Sequence, residues 1–183
     1  AQFGCDLLFG TDHTETLGKK HEGIIREFVE DDAEDDLIYR AIFNHNRYRI
    51  QEDLDERQQK FSHILRDADK IDILRVNTET PLEDIYNCTT KELVSCKVTE
   101  EVMESFRQRH AVLRTLKKVP VDHVVGHISL TYELVFPMSV HMMAEQGYLE
   151  KLMNFTSENS ETQKQFEEIR DVMHRYLKEC DNL

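Results

Sequence analysis

An all-α fold follows from three features of the sequence. Only 6 glycines and 3 prolines punctuate 183 residues, too few turn formers for the many short strands of an all-β domain. Apolar residues recur at intervals of three and four through most of the chain, which places them on one face of a helix. No run alternates apolar and polar residues as a half-buried strand does.

The elements follow in order. Phe3, Leu7 and Leu8 have helical spacing over residues 1–9, and Gly10 ends that helix. Residues 11–18 are polar and read as a loop. From Lys19 to Glu30, the residues Ile24, Ile25, Phe28 and Val29 predict a helix. Asp32 is placed to cap the next one, which buries Leu37, Ile38, Ala41 and Ile42 and stops near Asn44-His45-Asn46. A polar link from Arg47 to Asp53 leads to a long helix from about Leu54 to Val76. Its expected inner side is Phe61, Ile64, Leu65, Ala68 and Ile71, with Asp72 the one charge on the stripe.

Short helices are expected at Leu82–Tyr86, around Lys91 to Val94, and from Glu100 to about Arg109. Thr99 precedes the last of these as a cap, and Val102, Met103 and Phe106 form its apolar stripe. The stretch from Val121 to Gln146 is a helix pair or one helix kinked at Pro137, which lacks a backbone donor. Another short helix follows from Tyr148. A final one opens at Ser160 or Glu161 and turns Phe166, Ile169, Val172, Met173, Tyr176 and Leu177 inward.

The formal net charge is −13. Acidic runs such as residues 30–36 make a solvated surface that repels nucleic-acid polymers and anionic lipid. No apolar stretch approaches the roughly 20 residues of a membrane span. Cys5, Cys88, Cys96 and Cys180 contain no C-x-x-C pair, and the expected state is reduced thiols in a cytoplasmic protein. The first nine residues have the pattern of a helix already in progress, so the chain is expected to begin inside a larger protein.

Two segments carry candidate chemistry. In Arg66-Asp67-Ala68-Asp69-Lys70-Ile71-Asp72, Asp69 and Asp72 share a helix face, as do Arg66 and Lys70. Charges on a partly buried helix need partners or a metal. The segment is either a metal-binding element or a ladder of intrahelical salt bridges. Asn44-His45-Asn46 closes an apolar run, where a histidine is either a satisfied structural residue or a neutral metal ligand. His123 and His127, four apart, lack the glutamate of a zincin and read as packing or surface residues.

Taken together, the two segments resemble the HD superfamily of metal-dependent phosphohydrolases, helical bundles that bind one or two divalent metals. That family's motif runs through a His, a His-Asp pair, one or two further His and a final Asp in an Ala-Asp context. Asn44-His45-Asn46 is similar to a later His position and Ala68-Asp69 to the final Asp. The segment from Ile64 to Asp72 is most similar to one group of bacterial HD-domain proteins. The resemblance continues more loosely to about Tyr176. It also departs from the pattern, since no His-Asp dipeptide occurs in the sequence. The family's first ligands would lie upstream of Ala1.

The resemblance implies residues 1–77 as the later part of an HD-type domain, with residues 78–183 as a helical extension. It implies His45 and Asp69 as ligands of a divalent ion, with Asp67 in reserve. Mn, Fe, Mg, Co and Ni suit such oxygen and imidazole donors about equally. Arg66 and Lys70 are candidates to hold phosphate oxygens, or else to pair with nearby carboxylates. The implied activity is metal-dependent hydrolysis of a phosphate ester, on a nucleotide or another small phosphorylated compound. The alternative is a non-catalytic helical interaction or regulatory module without the metal centre. With two ligands, this chain by itself is expected to hydrolyse such esters poorly.

Overall fold

In the computed structural model, which describes residues 1–11 and 21–180, helices dominate both of two compact units, residues 1–69 and 70–183. Unit 1 opens with α1 (Gln2–Phe9), followed by two-residue strands β1 (Gly10–Thr11) and β2 (His21–Glu22) paired antiparallel. A 3₁₀ turn (Ile25–Glu27) precedes α2 (Asp35–Asn44), and α3 (Glu56–Glu79) runs across the boundary between the units. That boundary lies inside the long helix. The loop containing Asp12-His13 lies outside the described residues.

Helix α1 packs on α2. Phe9 meets the ring of Tyr39 edge-on at 5.5 Å, Tyr39 stacks on Phe43 at 5.8 Å, and the Arg47 guanidinium lies 3.9 Å above Phe43. Gly23 passes so close to the C-terminal carbonyls of α1 that any side chain there would strike the backbone of Leu8 and Phe9. The helix expected up to Glu30 is only the 3₁₀ turn in its described part, and Phe28 stands 70% exposed. Asp32 does not cap α2. Its carbonyl accepts from Asp35 N–H, and α2 starts three residues later.

Unit 1 encloses few apolar side chains. Among the described residues these are Cys5, Ile25, Ala41 and Leu54, and they share the interior with Asp6, Asn44, Ser62, Arg66 and Asp67. The expected inner stripe of α3 is therefore corrected: Phe61 (42%) and Ile64 (44%) are exposed, and so is Ala68. Ser62, Arg66, Lys70, Leu74 and Asn77 line the enclosed face instead, at the spacing of one helix side. Asp72 is exposed and pairs with Arg75 at 2.9 Å.

Unit 2 has the larger apolar core. It contains α4 (Leu82–Tyr86), α5 (Thr90–Ser95), α6 (Glu100–Arg107), a 3₁₀ turn (Arg114–Leu116), α7 (Pro120–Ile128), a 3₁₀ stretch (Ser129–Glu133), α8 (Pro137–Gln146), α9 (Tyr148–Met153) and α10 (Ser160–Cys180). Pro137 does not kink a continuous helix. It stands at the start of α8, where its missing N–H costs nothing. Phe106, Met153, Phe166, Ile169 and Met173 are essentially inaccessible, so α10 buries the face its spacing indicates.

Asp122 joins three segments of this unit. Its buried carboxylate accepts from Thr99 N (2.9 Å), Thr99 Oγ1 (3.3 Å), Lys118 N (2.8 Å) and Val119 N (3.1 Å). It thereby supplies acceptors to the opening turns of both α6 and α7. Thr99 is the cap position of α6, but its hydroxyl serves Asp122 and not its own helix.

The inversion of α3 has a measurable consequence. Phe61→Ser is expected to change stability by no more than about 0.5–1 kcal/mol, as for an exposed site. Leu74→Ala, at a side chain 2% exposed, is expected to cost about 2–5 kcal/mol. Urea unfolding of the two variants checks both values.

Candidate functional site

The candidate residues of unit 1 gather where α2 ends. The Asn44 side chain is fully buried and ties off the following turn: Nδ2 donates to Arg40 O at 2.8 Å and to Gln51 Oε1 at 3.2 Å, and Oδ1 accepts from Gln51 N at 2.9 Å. Arg66 fills that turn from α3. Its guanidinium donates to the carbonyls of Asn44 (3.3 Å), Arg47 and Tyr48 (3.4 Å). A planar group with five donors suits three carbonyls of one bend. These bonds give Arg66 a structural task at the turn that carries His45.

His45 is half-buried, with Nδ1 2.6 Å from Ile42 O. A carbonyl can only accept, so Nδ1 carries a proton, and in the neutral ring Nε2 is the nitrogen with the lone pair. That arrangement orients an imidazole for a ligand role and serves a structural histidine equally well. Asp67 is 1% exposed and Asp69 is half-buried. The reserve aspartate is thus the more enclosed of the two. Lys70, in unit 2, pairs with Glu133 at 3.4 Å.

No group of three or more His, Cys, Asp or Glu side chains disposed to hold a metal occurs among the described residues. His45 with one aspartate falls short of the three protein ligands of a hydrolytic centre. The donors described here do not by themselves fit a resident metal. None of the described helices is long and apolar enough to cross a membrane, and all four cysteines are free thiols.

Sequence spacing alone gave no reason to join residues 77, 86 and 127, yet they form a polar cluster in unit 2. Asn77 Nδ2 donates to Ile73 O at 2.8 Å, which turns Oδ1 toward the cluster. Tyr86 Oη donates to that Oδ1 at 2.6 Å, and His127 Nδ1 lies 2.7 Å from it and 3.0 Å from Tyr86 Oη. An amide oxygen as partner makes Nδ1 the donor and leaves Nε2 unprotonated. Burial, reinforced by Lys117 and His123, pushes the His127 imidazole down to about 3. His127 is a neutral ring near pH 7. The cluster is bounded by a small cavity of about 160 Å³ lined by Asn77, Thr78, Leu82, Lys151, Leu152 and Phe155.

Comparison with known proteins finds no matching family model, no matching curated protein and no matching solved structure.

Two outcomes follow from these clusters. Arg66→Ala removes the guanidinium from three carbonyls of the turn, of which Asn44 O keeps the Arg47 N–H at 3.2 Å, at a cost of about 2–4 kcal/mol. Hydrogen exchange is expected to quicken over residues 45–51 while the amides of α10 keep their protection. For His127, the folded-state value of about 3 lies below the ordinary 6.5. Its contribution is complete above pH 6.5 and is lost as the pH falls toward 3, at about 1.4 kcal/mol per pH unit. Urea unfolding between pH 7 and 4 should show that slope, and His127→Gln should flatten it.

Proposed function

We propose that the chain is part of an HD-type phosphohydrolase that cleaves phosphate esters of a nucleotide or another small phosphorylated compound. The observation that supports the reading is the turn after α2, where His45 is held through Nδ1 in the same unit as the enclosed Asp67 and half-buried Asp69. In this reading His45 and one of the two aspartates are the later donors to a divalent ion, and further donors come from outside the described residues. A divalent ion in such enzymes acidifies a bound water and polarises a phosphoryl oxygen. The residues of this chain would orient one imidazole and one carboxylate. Arg66 would keep the turn in place, and Lys70 would remain with Glu133.

A second reading is favoured by a specific observation. Arg66 and Lys70 both have structural partners, and the described donors do not reach three. A helical interaction or regulatory module without a metal centre would have the same features.

Elemental analysis and steady-state rates separate the two. In the protein as its gene encodes it, His45→Ala is expected to lower metal content and phosphatase turnover together, by at least about tenfold in rate. Of Asp67→Ala and Asp69→Ala, the one that does the same is the ligand. The 183-residue chain alone should be depleted in metal and slow. Unchanged metal content and turnover in all three variants would leave the regulatory reading.

A further inference from the structure

We propose that the loop of residues 45–50 binds a nucleoside phosphate, with the phosphate on the guanidinium groups of Arg47 and Arg49 and the base against the ring of Tyr48. The bound compound's role as a substrate rests on the phosphohydrolase reading above, while the binding itself is tested apart from turnover.

The loop is closed at its ends and filled from inside. Gln51 N–H donates to Asn44 Oδ1 at 2.9 Å, and Asn44 Nδ2 donates to Gln51 Oε1 at 3.2 Å. Arg47 N–H donates to Asn44 O at 3.2 Å. The buried Arg66 guanidinium takes the carbonyls of Asn44, Arg47 and Tyr48. A compact loop with joined ends is held in shape by such contacts. The carbonyls of residues 47 and 48 face the buried Arg66, and the side chains of Arg47, Tyr48 and Arg49 are exposed, Tyr48 by 61%.

These side chains have few competing partners. Residues 37–51 contain Arg40, Arg47 and Arg49 and no carboxylate, in a chain with 36 acidic residues. Arg40 meets Asp36 and Asp53, Arg26 meets Asp35, and Arg57 meets Glu34. Arg47, Arg49 and Lys60 make no ion pair among the described residues. The Arg47 guanidinium lies 3.9 Å above the Phe43 ring. Stacking fixes its plane and leaves the N–H donors, which lie in that plane, available at its edge. Among the described residues the Tyr48 side chain has no hydrogen bond and no ring partner.

Guanidinium forks meet phosphate oxygens with paired hydrogen bonds, and an exposed aromatic ring stacks on any base. Arg47, Tyr48 and Arg49 are consecutive, so both kinds of group arise within about 7 Å of backbone. A nucleoside monophosphate joins a planar base to a phosphate through one sugar and can meet all three side chains. A phosphorylated sugar would meet the arginines alone. A loop already held in shape loses little freedom on binding. His45 belongs to the same loop, so the metal donor of the reading above and the contacts assigned here share one rigid segment.

Calorimetric titration of the protein as its gene encodes it with adenosine monophosphate, with a chelator present to stop turnover, tests the binding. The expected dissociation constant is about 1 mM or lower. Arg47→Gln and Arg49→Gln should each weaken binding by about tenfold or more. Tyr48→Ala should do so by about tenfold, to the level of inorganic phosphate, and Tyr48→Phe should bind as the parent does. Circular dichroism should show helix content retained in all four. Lys60→Gln, at an exposed lysine outside the loop, should bind as the parent does. With metal restored, Arg49→Gln and Tyr48→Ala should raise KM for the nucleotide while kcat and metal content stay unchanged. The proposal is overturned if no heat appears at about 10 mM nucleotide, if binding survives Arg47→Gln and Arg49→Gln, or if inorganic phosphate binds as tightly as the nucleotide. Parent KM in every variant of an active, metal-loaded enzyme also overturns it and leaves the phosphohydrolase reading in place. Nucleotide binding that these variants weaken, in a protein with neither metal nor turnover, supports the loop as the nucleotide site and overturns the phosphohydrolase reading instead.

Discussion

Polar groups taken out of water must be matched inside the protein, and α3 makes that constraint central to this molecule. Its enclosed face carries Ser62, Arg66, Lys70 and Asn77, with Asp67 beside them. Burying an uncompensated charge costs several kcal/mol, more than a buried methylene or two returns. Three of these side chains each fix another segment, whereas the buried Ser62 Oγ has no hydrogen-bond partner among the described residues. Arg66 fixes the turn from Asn44 to Tyr48, Lys70 fixes Glu133, and Asn77 fixes Tyr86 and His127. A helix with this face cannot slide or rotate without breaking several such matches together. An apolar face would tolerate repacking more readily.

The two units meet the constraint differently. Unit 2 surrounds its polar cluster with a large apolar core, and burial of Phe106, Met153, Phe166 and Met173 supplies most of its driving force. Unit 1 has four enclosed apolar side chains among its described residues and holds its interior by hydrogen bonds. The net value of one hydrogen bond is about 1 kcal/mol, whereas an unmatched buried group costs more. Unit 1 thus gains specificity from its polar interior more than stability. The turn that carries His45 is set by directional bonds from Asn44 and Arg66.

How much of this was legible in the sequence depends on which residues carry the burial. Where apolar side chains decide, as in α6 and α10, the periodicity of Val102, Met103 and Phe106 or of Phe166, Ile169 and Met173 identified both the helix and its buried face. In α3 the same method failed at three of five positions, with Leu65 half-buried and Ile71 packed on the core of unit 2. Phe61, Ile64 and Ala68 form a regular stripe but face outward, because the matched charges occupy the interior. Periodicity measures hydrophobicity and cannot know that Arg66 will find three carbonyls across a bend. The same blindness hid Asp122, whose partners at positions 99, 118 and 119 are set by the fold. The resemblance carried by residues 44–46 and 64–72 was visible as a pattern of residue types, but what those residues contact was not.

Charge shows the same division at the level of the whole chain. A net charge of −13 describes only the average over the chain. It is uninformative about a single group such as Lys117, whose surroundings depend on which carboxylates the fold places near it. Asp122 accepts from four donors and still attracts the Lys117 ammonium, and Glu101 pairs with Lys118. Gly126 completes the arrangement by leaving room for the Lys117 ammonium. In the sequence Gly126 looks like a weak point in a helix. In the fold its missing side chain leaves the space that the end of the Lys117 side chain fills.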